Sequence, residues 1–375
     1  VATAENAIIE PTTVEEAARA LRTIGEPRSP ADVTIVGNAT KLADLKPAVE
    51  CVSTRRLNRV IEYAPEDMTI TVEAGVSFDA INALTAKDNL RLALDPPGYD
   101  GQATIGGVLA TNDSGPMRAA YGSPRDMVLG ATIVLYDGTV IRSGGRVVKN
   151  VAGYGLHRLM CGSWGRFGLI ASATLRLRPR AESLRLATWP ARLTMEARLR
   201  DDLTGNWVCN VAAQFTRSIR SGPHQPALLT WMCDKVGVDE DITVIVGFED
   251  DAQTAEDEVV MLSRKWENCV AHSPSDSVDL YRRILTLTAG APFRAGVRPS
   301  RVPHAVAELR CGSRVIAHAL SGAIVLPDHP DTWDATANTV RSNGGHLIVP
   351  RRLAADEHDG LRARVASALR GGTPA

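Results

Sequence analysis

Six cysteines in 375 residues, none of them in a Cys-x-x-Cys pair, set the first limit on this chain. Cys51, Cys161, Cys209, Cys233, Cys269 and Cys311 are too scattered for an iron–sulfur cluster of ferredoxin spacing, and they read as reduced, individually buried thiols of a cytosolic protein. The eight histidines contain no His-x-His or His-x-x-x-His, so no local metal site is expected. No apolar run reaches the length that spans a bilayer, and residues 1–10 lack the basic stretch and apolar core of a signal peptide. A net charge of -1 gives no electrostatic reason to expect nucleic acid or an anionic membrane surface. No G-x-G-x-x-G follows the first predicted strand, which argues against a nicotinamide site of the Rossmann kind, and no P-loop is present. Internal repeats and low-complexity tracts are absent as well.

Glycine is what the chain has in concentration. Residues 144–168 hold seven glycines, a Lys149-Asn150 pair and a strand predicted to follow at once, from Leu169 to Leu177. Glycine at that density costs backbone entropy, and the usual reason is a backbone that must approach something closely. A flat, phosphate-bearing cofactor is the candidate. A second glycine-rich region lies upstream, with Thr104-Ile105-Gly106-Gly107 and Ser114-Gly115.

The length suggests two domains, each able to bury a core. Pro11, Thr12 and Thr13 followed by Glu16 predict a capped helix with Val14, Ala17, Ala18 and Leu21 at helical spacing. Val33 to Val36 and Thr69 to Glu73 read as strands, and Ser77 caps a helix with Phe78, Ile81 and Leu84 on one face. Asp137-Gly138 between Leu129–Tyr136 and Thr139–Arg142 predicts a hairpin. Arg125 and Asp126 read as a structural ion pair just before it. Beyond Pro179, strands at 227–231, 242–248, 315–320, 323–325 and 346–349 and an amphipathic helix at 252–266 predict a second α+β layer.

The order and spacing of particular blocks carry a resemblance. They are Asp95-Pro96-Pro97, Thr104-Ile105-Gly106-Gly107, Ser114-Gly115-Pro116, the run from Gly122 to Gly130, Lys149-Asn150-Val151-Ala152-Gly153-Tyr154, and Gly162-Ser163-x-Gly165-x-x-Gly168. Together they resemble the PCMH-type FAD-binding domain of the vanillyl-alcohol oxidase superfamily, and within it the FAD-binding E subunits of bacterial glycolate oxidase. The match is dense from about Ile61 to Pro179, thinner before it and weak after about Glu182.

The resemblance implies an α+β fold with an FAD-binding domain over residues 1–180 and a smaller α+β cap over residues 181–375. It assigns FAD to Gly37, Asn38 and Thr40 in a first loop, and to Pro97, Thr104, Ile105, Gly106, Gly107, Ser114 and Gly115 in the second region. In the third region it assigns Lys149, Asn150, Gly153, Tyr154, Gly162, Ser163, Gly165 and Gly168, with Ile170 offering its backbone to the adenine. Two departures stand out. Asn38 and Ala39 replace expected glycines, and a left-handed alanine costs about 1 kcal/mol or more. Gly155 replaces an expected Asp.

In related hydroxy-acid dehydrogenases a His-rich glycine segment of the cap serves the substrate. Residues 317–324 keep only His318 and one glycine of it. A lone histidine in a predicted strand is more often a satisfied core residue than a ligand. Arg294, Arg298 and Arg301 are either a carboxylate clamp or solvated charges. No catalytic residue is assigned. The expectation is a cytoplasmic FAD-binding subunit of a glycolate-oxidase-like complex that oxidises a 2-hydroxy acid. It would work with a catalytic flavin subunit and an iron–sulfur subunit, and could sit on the inner membrane through a partner. Two alternatives stay open: a stand-alone FAD-dependent oxidase or dehydrogenase, and a structural subunit whose FAD binding is weakened or lost.

Overall fold

The computed structural model describes residues 8–25, 33–40, 50–97, 101–145, 155–191, 206–220, 226–233, 242–289, 291, 293–309, 314–327 and 333–348. The first helix, Val14–Ile24, starts where its capping residues place it: the Thr13 hydroxyl accepts from the Glu16 amide at 3.1 Å. Glu16 reaches back one residue further than a standard box, taking the Thr12 amide and hydroxyl at 2.8 Å. The buried side chains Ala17, Ala18 and Leu21 face Val33 and Val52 on one side and Val134, Leu169 and Ala171 on the other. The helix therefore joins two sheets by a single apolar stripe.

One of these sheets is small and parallel, with Glu50–Ser53 between Ile8–Ile9 and Val33–Val36. The other has five antiparallel strands in the order Val60–Ala64, Thr69–Glu73, Leu169–Arg176, Val128–Val134, Val140–Gly144. Its central strand comes from far along the chain and is almost wholly buried, as its run of Leu, Ile and Ala requires. The predicted hairpin forms with shifted strands, Val128–Val134 and Val140–Gly144. Leu135 and Thr139 lie in its turn, where the Leu135 amide bonds the Thr139 carbonyl at 2.9 Å and Gly138 takes φ 80°. Helix Phe78–Thr85 is capped by Ser77 as expected.

From Ser183 onward the chain builds a separate sheet of eight strands, every described pairing of which is antiparallel. The order is Val270–Ala271, Ser183–Ala191, Ile242–Asp250, Leu228–Cys233, Val315–His318, Ala323–Leu326, Phe293–Gly296, His346–Ile348. Helices Asn206–Arg220 and Val302–Leu309 cover one face, with Phe215 and Trp231 fully buried there. The other face packs Leu186, Leu228, Met232 and Ile316 against helix Pro274–Ala289 and against Met117 and Tyr121 of the N-terminal half. The two halves thus meet along a seam with an apolar centre.

The cysteines follow the sequence reading where they are described. Cys51, Cys161, Cys209 and Cys233 are buried thiols outside any disulfide, Cys269 is a half-buried thiol, and Cys311 lies outside the described residues. The expected Arg125–Asp126 ion pair is replaced by a cap. The Asp126 carboxylate takes the Ser123 amide at 2.8 Å and hydroxyl at 2.7 Å, while the Arg125 amide bonds Asn112. A carboxylate three residues after a serine satisfies open amides at a helix start, which wins over a solvated ion pair.

Candidate functional site

Three of the glycine-bearing segments singled out from the sequence come together around helix Ile105–Thr111. The first loop, 37–40, leaves strand Val33–Val36 and lies on Thr104, the residue that caps that helix. The approach is so close that a Cβ on Gly37 would overlap the Thr104 hydroxyl. The third segment packs on the far end of the helix: the Gly162 amide bonds the Leu109 carbonyl at 3.1 Å and the Trp164 amide bonds the Ala110 carbonyl at 2.9 Å. Gly165 closes the ring, since a Cβ there would sit 3.3 Å from Ile35 on the first strand. Its carbonyl is held by the buried Tyr136 hydroxyl at 2.8 Å.

The first loop reaches this geometry without its expected glycines. Ala39 takes the left-handed conformation, φ 55°. Asn38 makes a contact of its own: its side-chain amide donates to the Gln102 carbonyl at 2.8 Å, tying the first loop to the second region. The loop keeps its turn at the cost of about 1 kcal/mol at Ala39 and gains a cross-link at Asn38.

The glycines divide into two kinds. A Cβ on Gly106 would meet the Ala74 backbone, one on Gly115 would meet Asp95, and one on Gly168 would meet Val134 and Leu135. Those three are required by packing inside the protein. Gly107 and Gly162 have far more room, with nothing nearer than the Thr104 hydroxyl at 3.3 Å and the Asn112 Cβ at 3.5 Å respectively. Ile105 is fully buried, Pro97 is buried, Ser114 and Thr40 are half-buried, and Ile170 lies on the buried central strand. Lys149, Asn150, Gly153 and Tyr154 lie outside the described residues. Gly155, which replaces the expected Asp, opens helix Leu156–Met160 with its carbonyl accepting from Arg158.

One hydroxyl in this cradle is unspent. The Ser163 hydroxyl is buried and has no hydrogen-bond partner among the described residues. A buried hydroxyl left so costs roughly 1–3 kcal/mol unless a ligand or water completes it. A phosphate oxygen is a suitable acceptor for it, while the Gly107 and Gly162 amides are already taken by the Thr104 hydroxyl and the Leu109 carbonyl. The Ser163 hydroxyl therefore fits a phosphate-bearing cofactor.

The seam has the opposite chemistry. Asp95 is buried and accepts from the Gly115 amide at 2.9 Å, the Met117 amide at 2.7 Å and the Tyr281 hydroxyl at 2.8 Å. Burial pushes its carboxyl up to about 6, against the lowering pull of those three bonds. Arg91 grips Glu249 through both terminal nitrogens, and the Tyr121 hydroxyl donates to the same carboxylate. Burial and the neighbouring Glu249 push Tyr121 up to about 12. Asp113 pairs with Arg294, which also donates to the Thr288 carbonyl at 2.9 Å. Each of these pairs joins the N-terminal half to the eight-stranded sheet or the helix packed on it.

His318 sits inside that sheet, 2% exposed, with its ring nitrogen 3.1 Å from the Thr230 hydroxyl. Burial, helped by the Arg294 charge, pushes its pKa down to about 4, so it is neutral near physiological pH. It is the satisfied core histidine of the sequence reading. Arg294 is turned inward to Asp113, and Arg298 and Arg301 do not join it there: both lie on an exposed turn. No local signal announces the Asp95–Tyr281, Arg91–Glu249 or Asp113–Arg294 contacts, whose partners stand 186, 158 and 181 residues apart. Among the described residues no group of three His, Cys, Asp or Glu could hold a metal ion, and no helix is long and apolar enough to cross a membrane.

Comparisons with known proteins bear on the cofactor. Residues 6–144 match the family model of the FAD binding domain. Glycolate oxidase subunit GlcE of Escherichia coli (strain K12) is 40% identical over 121 residues, 32% of this chain and 35% of that protein. Glycolate oxidase subunit GlcD of Bacillus subtilis (strain 168) is 35% identical over 182 residues, 48% of this chain and 38% of that protein. The mitochondrial D-lactate dehydrogenase [cytochrome] of Arabidopsis thaliana is 34% identical over 174 residues, 45% of this chain and 30% of that protein. The matched part thus spans roughly a third of each relative. A solved structure of alkyldihydroxyacetonephosphate synthase superposes with TM-score 0.63 over 97% of this chain and 75% of its own, at 13% identity, so the fold is shared along nearly the whole length. By sequence match, residues 6–144 correspond to an FAD binding domain, and FAD is the cofactor of this chain.

Proposed function

We propose that this chain is the FAD-binding subunit of a glycolate-oxidase-like complex that oxidises a 2-hydroxy acid and passes electrons to a partner. The matches to glycolate oxidase subunits and to D-lactate dehydrogenases support an FAD-dependent oxidoreductase acting on a hydroxy acid. The observation that carries the subunit reading is the commitment of two side chains weighed for a substrate role, neither of them assigned one, to internal partners: His318 to Thr230 and Arg294 to Asp113. A base must be able to take a proton from the substrate hydroxyl and a clamp must face the substrate carboxylate. Here both side chains serve the sheet and the seam.

Bound FAD would supply hydride acceptance and onward electron transfer. The chain's part is to hold it. The Gly107 and Gly162 backbones have the room for close approach, Ser163 has a hydroxyl to give, and the first loop is fixed over Thr104 by Asn38. Thr40, Pro97, Ser114 and Ile170, together with Lys149, Asn150, Gly153 and Tyr154, complete the proposed contact set. We assign residues 1–180 to the FAD-binding domain and 181–375 to the cap. A catalytic flavin subunit and an iron–sulfur subunit are the partners this reading requires. The complex would be cytoplasmic, with any membrane association made through a partner.

The test is reduction of the bound flavin by excess glycolate or D-lactate without air, using the purified chain. Slow or absent bleaching with normal reduction by dithionite is expected, and turnover should appear when the two partner subunits are added. Rapid bleaching of the isolated chain would replace this reading with a stand-alone dehydrogenase, the reading that the D-lactate dehydrogenase matches favour.

A further inference from the structure

The buried Ser163 hydroxyl sits on a turn whose shape its own sequence does not favour. The Arg166 amide bonds the Ser163 carbonyl at 3.0 Å, and the two residues between them, Trp164 and Gly165, take φ 55° and φ 76°. A closing bond over two left-handed residues is the pattern of a type I′ turn, where glycine, asparagine and aspartate dominate. Gly165 suits its place. Trp164 does not, because a left-handed backbone crowds a side chain, so this turn needs its surroundings to hold it.

Part of that hold comes from helix Ile105–Thr111, through the bond from the Trp164 amide to the Ala110 carbonyl at 2.9 Å. The rest falls on the Gly165 carbonyl, which accepts from the Gly168 amide at 3.2 Å and from the Tyr136 hydroxyl at 2.8 Å. Gly168 belongs to the same segment, whereas Tyr136 reaches it from the turn of the hairpin. The Tyr136 ring is buried in the apolar cluster of Leu21, Val134 and Leu169, so its hydroxyl is delivered from a fixed base.

The peptide group that joins Gly165 to Arg166 is planar. Tyr136 holds its oxygen, and its N–H donates to the Ser163 carbonyl. Two hydrogen bonds at opposite ends of one rigid plane thus lead from the hairpin to Ser163. With the Tyr136 bond removed, the plane can tilt, and the turn can relax toward the backbone that Trp164 prefers.

We propose that Tyr136 is a positioning residue for the cofactor: its hydroxyl fixes the Gly165–Arg166 peptide and, through it, aims the Ser163 hydroxyl at a phosphate of FAD. This rests on the reading of Ser163 as a phosphate donor and extends it to a residue outside the glycine segments. Tyr136 acts on the flavin only by way of Ser163, so the two residues form one unit, and deleting either removes the same interaction.

A double-mutant cycle on FAD affinity tests this without turnover, using the full chain stripped of flavin and titrated with FAD by fluorescence quenching. Tyr136→Phe deletes one oxygen and keeps the ring, so the apolar cluster stays filled. Ser163→Ala should weaken FAD roughly tenfold and Tyr136→Phe roughly fivefold, the range of a single hydrogen bond. The double variant should bind within about twofold of Ser163→Ala alone, because the second deletion has nothing left to misplace. A Tyr136 hydroxyl with a merely structural role would instead give the product of the two losses, roughly fiftyfold, and that result overturns the proposal. Unchanged affinity in Tyr136→Phe beside a loss in Ser163→Ala also overturns it, and leaves Ser163 as a phosphate donor. Unchanged affinity in Ser163→Ala removes the phosphate reading itself, and the proposal falls with it.

Discussion

The cradle and the seam solve different problems with different materials. The cradle around helix Ile105–Thr111 is made of backbone: amides, glycines and left-handed residues at Ala39, Gly162, Trp164 and Gly165, with a single unspent hydroxyl. The seam is made of side-chain charges that reach across from one half to the other. Backbone dipoles can hold an anion without a buried cation that must be neutralised when the site is empty. Fixed charges cannot be left alone in that way, so in the seam each is paired or hydrogen-bonded. The difference teaches where damage should appear. Cradle substitutions should cost flavin, and seam substitutions should cost stability.

The strongest test of that division is Arg294→Ala. It would remove the Arg294 guanidinium from Asp113, 6% exposed, and breaking a buried pair costs about 3–5 kcal/mol. Chemical denaturation should show that loss while the remaining folded protein keeps its flavin spectrum. A loss of less than about 1 kcal/mol would make the seam no different from surface pairing.

A second test uses pH. Asp95 is raised from 3.8 to about 6, so its contribution to stability is full below 3.8 and is lost as pH climbs toward 6. His318 is lowered from 6.5 to about 4, so its contribution is full above 6.5 and is lost as pH falls toward 4. Either shift corresponds to a change on the order of 3 kcal/mol. Denaturation of the parent against Asp95→Asn should show the parent losing ground as pH rises. The comparison with His318→Gln should show it losing ground as pH falls. Parallel slopes would mean that one of the two groups is solvated.

The cradle is broken by Gly165→Val, which asks a β-branched residue to hold φ 76° against Ile35. The strain is about 1–3 kcal/mol and should appear as flavin lost on desalting, with the unfolding midpoint of the apoprotein little changed. Its counterpart in the smallest range is the first loop. Ala39→Gly removes about 1 kcal/mol of left-handed cost and should tighten FAD roughly fivefold. Asn38→Gly should go the other way, because it deletes the bond to Gln102. A gain from both would show that the Asn38 contact carries no weight.

The cradle was legible in the sequence for a physical reason. A backbone that bends sharply or approaches another chain segment needs glycine, and glycine is visible. The same visibility misleads about purpose, since Gly106, Gly115 and Gly168 answer to Ala74, Asp95 and Val134 inside the protein. Capped helices at Thr13 and Ser77 and the strands at 33–36 and 69–73 were also readable, because their signals are local. The seam was not. Nothing near Arg91 announces Glu249, and nothing near Asp95 announces Tyr281, because register between distant strands decides those meetings. His318 was readable as a core residue from its apolar neighbours, but its partner Thr230 was not.

The position of strand Leu169–Arg176 also governs how the chain can be made. It lies between Thr69–Glu73 and Val128–Val134, and both of those leave the ribosome before it. Until it emerges, the two earlier ribbons each carry an unsatisfied inner edge of amides and carbonyls, the surface on which strands of different molecules join. A nascent chain halted short of residue 169 is therefore a sticky species, and one more stretch of translation turns it into a closed sheet.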